Sequence, residues 1–295
     1  MKMAVIGAGK WGQALSHAFS QKNEVVISSR TPKEIAHFVP MKEALAYEYL
    51  VMAIPAQFVR GWMQEHFVDK GQKILVAAKG IETATGAFLN EVYGDFMPAE
   101  RLAFISGPSF AAEVMRSLPT ALVISSTNEA LAQQYADALP DFIKSYVSDD
   151  VVGAEVGGAY KNVIAIAGGV SDGLGLGNNA RAALISRGLV EMTRFGEAFG
   201  AKTETFLSLG GAGDLFLTAS STLSRNYRVG LGLAAGKKIE TILADLGEVA
   251  EGVPTARALQ KIATEKGIYL PIAREVYAMI EEGKSPQKSV QDLLS

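Results

Sequence analysis

Apolar residues recur along this chain with two rhythms, and the change from one to the other divides it. Up to about residue 148, short apolar runs alternate with stretches of helical period. The runs are Met3–Ile6, Glu24–Ile27, Tyr49–Ile54, Lys73–Ala78, Leu102–Ile105, Thr120–Ile124 and Phe142–Val147. Strand and helix alternating in this way predict a mainly parallel sheet with helices on both faces. After Asp149-Asp150 the strand rhythm stops. Helix-period patterns then run to the C-terminus, among them Ala183–Phe199, Thr255–Glu265 and Ile272–Glu282. The expected fold class is α/β, with a sheet domain over 1–148 and an all-helical domain over 149–295.

The first strand and helix meet at Gly7-Ala8-Gly9-Lys10-Trp11-Gly12, a G-x-G-x-x-G turn. Each glycine has a task in a Rossmann-type dinucleotide site. Gly7 makes the tight turn, Gly9 lets the main chain approach a pyrophosphate, and Gly12 lets the helix pack on the strand. The helix N-terminus offers free N–H groups and partial positive charge to phosphates. The motif alone is weak evidence, but after a strand and before a helix it is strong. A carboxylate near the tip of the second strand would hold the ribose 2′-hydroxyl of NAD(H). Here that strand ends in Ser28-Ser29-Arg30-Thr31. Arg30 suits a 2′-phosphate, which it can grip bidentately, so NADP(H) should be accepted alongside NAD(H).

Composition narrows the class. The chain has 295 residues, enough for two cores, and 48% of them are hydrophobic. A net charge of −3 and a pI near 5.8 argue against nucleic-acid binding, which needs a basic patch. No apolar run reaches membrane-span length, and the N-terminus enters the glycine loop too soon to be a signal peptide. A cytoplasmic enzyme acting on a small molecule is expected, with the oligomeric state open and a homodimer one option. Cysteine is absent, which removes disulfides and thiolate catalysis. No cluster of carboxylates and histidines has metal-ligand spacing, so no metal is expected.

The acid-base group follows by elimination. The three histidines, His17, His37 and His66, all precede residue 67 and fall on or beside helical stretches. A His–Asp or His–Glu pair from the second half is therefore excluded. Lys161 is the only cation between Lys144 and Arg181, within Val156-Gly157-Gly158-Ala159-Tyr160-Lys161-Asn162-Val163. An ammonium among small and aliphatic residues is costly to desolvate. It could snorkel to solvent. Beside a dinucleotide site with no other acid-base group, catalysis is the better reading. A lysine serves as base and acid if burial and a second cation, here Lys79, pull its pKa from about 10.4 towards neutrality. Protonated, it also stabilises a developing alkoxide. Asp214, after Gly210-Gly211-Ala212-Gly213, reads as a helix N-cap able also to orient a lysine. Ser224-Arg225-Asn226 reads as an exposed loop or as a clamp for a substrate phosphate.

These motifs, taken in order, resemble the bacterial NAD(P)-dependent glycerol-3-phosphate dehydrogenases over nearly the whole length. They are the glycine loop, Ala78-Lys79-Gly80, Ser106-Gly107-Pro108-Ser109-Phe110-Ala111, Ala159-Tyr160-Lys161-Asn162, Gly210–Leu215, Ser224-Arg225-Asn226 and Glu251-Gly252. The resemblance implies hydride transfer between sn-glycerol 3-phosphate and dihydroxyacetone phosphate, feeding phospholipid synthesis. It makes Lys161 the proton acceptor, with Lys79 and Asp214 beside it. It places Lys79, Gly107, Ser109, Lys161, Asp214, Ser224, Arg225 and Asn226 on the substrate. It lines the dinucleotide with Trp11, Arg30, Lys79, Ala111, Arg225, Val249 and Glu251. Two departures stand out. Lys10 occupies a place where the family usually carries a small polar residue; a cation there would either add to pyrophosphate affinity or simply point to solvent. The stretch from Arg30 to Tyr49 is short enough to delete a strand. Two other readings compete. In a β-hydroxyacid-type dehydrogenase the asparagine would stand one turn after the lysine, whereas here that residue is Ala165. A dinucleotide-sensing regulator would not need Lys79, Lys161 and Arg225 together.

Overall fold

A computed structural model describes residues 1–295. Seven strands form one sheet: β1 (Lys2–Ile6), β2 (Glu24–Ser28), β3 (Tyr49–Met52), β4 (Lys73–Val76), β5 (Leu102–Ser106), β6 (Thr120–Ser125) and β7 (Ile143–Ser148). Their order is β2-β1-β3-β4-β5-β6-β7. Strands β1 to β5 run parallel, while β6 pairs antiparallel with β5 and parallel with β7. Each apolar run of the first half becomes a strand, so the sheet is mainly parallel and alternation predicted it. Because β1 to β5 point one way, the segments after β1, β3, β4 and β5 all emerge at one edge. That edge carries Gly7, Pro55, Lys79 and Gly107, as ligand sites of open α/β sheets require.

Side chains alternate between two apolar layers, as strands buried on both faces demand. Met3, Val5, Val51 and Leu75 pack on one face with Leu15 and Phe19 of the glycine-loop helix, Lys10–Ser20. Ala4, Ile6, Leu50 and Ile74 pack on the other with Trp62 and Tyr93. Between β2 and β3 the expected shortening is present. A single bridge, Ile27 with Phe38, stands where a further strand would pair. It is closed by Ile27 N–H to His37 O and Val39 N–H to Ile27 O, both 2.9 Å.

From Val151 onward the chain is helical. Asp150 caps the first helix, Val151–Gly173, accepting from Gly153 N–H at 2.8 Å. Its other oxygen accepts from Lys202 N–H and the Thr205 hydroxyl, tying in the segment after the next helix. The Val151–Gly173 helix is the axis of this half, with 20 of its 23 residues buried. Ile81 and Phe88, from the sheet half, pack into the same apolar cluster as Val163, Phe195 and Leu259. One core therefore spans the junction.

Candidate active site

The glycine loop has the shape its sequence requires. Gly7 adopts φ +112°, and a Cβ there would lie 2.5 Å from the carbonyl oxygen of Ala53. A Cβ on Gly12 would sit 1.8 Å from Gly7 O, so that residue fixes the helix against the loop. Around Gly9 nothing lies within 4 Å of the missing Cβ. No side chain caps the following helix, and its first turn carries no acid. Free N–H groups, open space and an uncompensated dipole fit a pyrophosphate. Two buried polar atoms nearby in sequence or space are unpartnered, the indole Nε1 of Trp11 and Oε2 of Glu251. The residues present thus fit a dinucleotide.

Lys161 sits midway along the Val151–Gly173 helix with its side chain 9% exposed. Its ammonium donates to Oδ1 of Asp214, and Lys79 donates to Oδ2 of the same carboxylate at 2.7 Å. Thr218 adds a longer contact to Oδ1, 3.3 Å. One carboxylate therefore serves two ammoniums, and the buried cluster carries an excess positive charge when both are protonated. Burial lowers the affinity of Lys161 for its proton, Asp214 raises it, and the Lys79 charge lowers it again. The balance leaves its pKa at about 7 instead of 10.5. Burial alone would raise Asp214, but Lys161 and Lys79 outweigh it and hold the carboxyl below its ordinary value.

Small residues let these groups meet. A Cβ on Gly158 would press on the Lys79 stem at 3.2 Å, and one on Gly157 would meet Gly210 O at 2.6 Å. Asp214 begins the helix Asp214–Ala219, but it is not the N-cap expected above. Gly213 holds that place, after a π-helical turn over Leu209–Gly213, and the Asp214 carboxylate is committed to the two lysines. Gly210 in that turn lies against Ser106, whose buried hydroxyl is unpartnered. This brings the Gly107 and Ser109 segment beside the cluster.

Ser224-Arg225-Asn226 is neither loop nor uniformly exposed. Ser224 caps the helix Arg225–Ala234, accepting from Tyr227 N–H at 3.2 Å. Asn226 is buried, donates to Asn162 Oδ1 at 2.9 Å and accepts from Gly252 N–H at 2.9 Å. It thereby ties Lys161's neighbour to the Glu251 segment, and one amide proton stays free. Arg225 is half-buried, 3.7 Å from Glu248. Glu248 also takes Lys10 of the glycine loop at 2.5 Å, bridging the two halves. Its own pKa is lowered, first by Lys10. Nothing in the sequence marked Glu248, because its partners are some 20 and over 200 positions away. Glu251 accepts from Ala56 N–H at 3.0 Å, beside Gly80. Burial raises its pKa to about 7 against the pull of Ala56 N–H and the Arg225 charge. Ala111 opens the short helix Ala111–Val114, which packs on the glycine-loop helix. Val249 is exposed, and Arg30 stands exposed and alone past the end of β2. None of the three histidines bonds to these residues; His17 meets Ser117 Oγ at 3.0 Å.

Comparison with known proteins identifies the family. Residues 29–132 match the model of the NAD-dependent glycerol-3-phosphate dehydrogenase N-terminus, and residues 150–291 match that of its C-terminus. A relative from Sulfurimonas denitrificans, named glycerol-3-phosphate dehydrogenase (NAD(P)+), is 62% identical, covering 100% of this chain and 99% of the relative. The chain belongs to this family. A relative of the same name from Nitratiruptor is 60% identical over 100% of this chain and 98% of its own length. The crystal structure of glycerol-3-phosphate dehydrogenase from Coxiella burnetii superposes with a TM-score of 0.92 at 32% identity, covering 100% of this chain and 98% of that one.

Proposed function

We propose that this protein interconverts sn-glycerol 3-phosphate and dihydroxyacetone phosphate with NAD(P), that Lys161 is the general acid and base, and that the product serves phospholipid synthesis in the cytoplasm. The observation that carries this is the single carboxylate of Asp214 shared by Lys161 and Lys79 at the carboxyl edge of the sheet. When bound, the dinucleotide supplies or accepts the hydride at the carbinol carbon. The rest falls to the chain. Neutral Lys161 takes the hydroxyl proton during oxidation; protonated, it returns that proton to the carbonyl oxygen during reduction. Lys79 keeps positive charge beside the developing alkoxide, and Asp214 fixes both amines in place. Arg225, with the free amide proton of Asn226, offers donors to the substrate phosphate. Gly107 and Ser109 border the same cleft from the end of β5. Trp11, Ala111, Val249 and Glu251 line the dinucleotide groove, and Arg30 meets a 2′-phosphate.

The test is oxidation of NADPH or NADH by dihydroxyacetone phosphate beside unphosphorylated dihydroxyacetone. Turnover confined to the phosphorylated ketone is expected. Equal rates on both would remove the phosphate clamp, and no turnover on either would remove the reaction.

A further inference from the structure

Lys33 makes a contact that the site above does not use. Its ammonium donates to the carbonyl oxygen of Ala8, inside the glycine loop, at 2.7 Å. That carbonyl is its one partner, and no carboxylate pairs with it. An ammonium has three protons to give, so two remain. Lys33 is exposed, as is Arg30 three residues earlier, and Arg30 is likewise unpaired.

The position follows from the neighbours. Gly7 N–H donates to Ser28 O at 2.8 Å, so the tip of β2 touches the first turn of the glycine loop. Ala8 is the next residue. Lys33 thus reaches from the segment after β2 back over that junction. In this class of sheet the adenosine ribose lies there, with its 2′ position towards the residues that follow the second strand. A further strand after β2 would carry those residues away along the sheet edge. Here the chain turns back instead, through His37 at φ +58° and the lone Ile27–Phe38 bridge, and leaves Lys33 over the loop.

We propose that Lys33 is a second ligand of a 2′-phosphate, so that cofactor choice in this protein rests on two cations, Arg30 and Lys33. The inference rests on the dinucleotide reading of the glycine loop. A neutral carbonyl is a modest partner for an ammonium, and a phosphate carrying about −1.5 to −2 charge is a much stronger one. Ala8 therefore parks the side chain where the phosphate would claim it. The shortened connection puts the second cation in place.

Binding without turnover tests this. NADPH and NADH are titrated by nicotinamide fluorescence into wild type, Lys33→Met, Lys33→Arg and Arg30→Ala. Each is then competed with adenosine 2′,5′-bisphosphate and with 5′-AMP. Lys33→Met is expected to weaken NADPH and the bisphosphate about tenfold while NADH and AMP move less than about twofold, as for loss of one charge-assisted contact. Lys33→Arg should restore most of the loss. Retained NADH binding shows that the variant is folded. Equal weakening of both cofactors would place the ammonium on the shared pyrophosphate or on the loop's shape, and would overturn the proposal. No weakening of either would leave Lys33 a solvated tether and overturn it equally. If Arg30→Ala separates the cofactors and Lys33→Met does not, Arg30 acts alone. If wild type binds neither cofactor, the dinucleotide reading itself falls.

Discussion

At the scale of the residue, Lys161 is an amine placed where a proton is expensive to keep. With a folded pKa of about 7 against an ordinary 10.5, the unfolded chain holds one more proton between those values. Stability must then rise with pH across that window, fall as pH drops through it, and level off below about 7. Lys161→Met keeps the stem and removes the charge, while Asp214 keeps Lys79 as its partner. The variant should melt no lower than wild type at pH 7, bind NADPH, and lose at least about 10²–10⁴ in kcat. Retention of more than about a tenth of kcat in a folded variant would take the catalytic role from Lys161. In wild type, glycerol 3-phosphate oxidation should rise through about pH 7 as the amine becomes neutral, and the reverse reduction should fall there. A profile flat from pH 6 to 8 in both directions would place the proton elsewhere. Lys161 was legible because a lone cation in an apolar helix is an anomaly that composition exposes. Glu248 and Lys33 were not, since each is an ordinary charge in a polar loop until folding brings its partner.

At the scale of the element, the Val151–Gly173 helix is shaped by what it lacks. A Cβ on Gly169 would lie 2.0 Å from Tyr227 O, and one on Gly230 of the partner helix 2.0 Å from Ile166 O. The two helices touch backbone to backbone, which only glycine allows. Glycine to alanine in a helix interior normally stabilises by about 0.5–1 kcal/mol. Gly169→Ala should reverse the sign, costing about 1–3 kcal/mol through overpacking against a backbone that cannot yield. Gly61→Ala, on the exposed face of the helix Val59–His66 with nothing within 4 Å, should show the normal gain. Urea denaturation of both variants checks the pair; equal shifts would deny the close approach. The strands were legible because runs such as Tyr49–Met52 and Leu102–Ser106 are buried on both faces and read as unbroken apolar segments. The reversal of β6 was not. The segment from Gly107 to Pro119 is long enough to return in either direction, and the strand's own pattern is the same both ways. The π-helical turn over Leu209–Gly213 was hidden too, because three glycines in five residues permit many shapes and tertiary contacts choose one.

At the scale of the whole molecule, the change of rhythm near residue 148 locates the end of the sheet, where β7 stops at Ser148. Apolar periodicity marks which face of an element is buried and not which partner buries it. Ile81 and Phe88 therefore gave no sign that they would join the helical core. The amine that moves the proton is carried on the most enclosed helix of the chain, and enclosure has a kinetic meaning. Amide protons of residues 156–166 can reach water only when that core opens, so their hydrogen exchange should be the slowest in the protein and limited by global unfolding. The loop over residues 247–251, held to the glycine loop chiefly by Glu248, should exchange far sooner. Mass-spectrometric exchange on the free protein would show the two populations, and early exchange of residues 156–166 would contradict the packing. Warming should accordingly leave the amine's setting intact until the fold goes, so activity and structure are lost at one temperature.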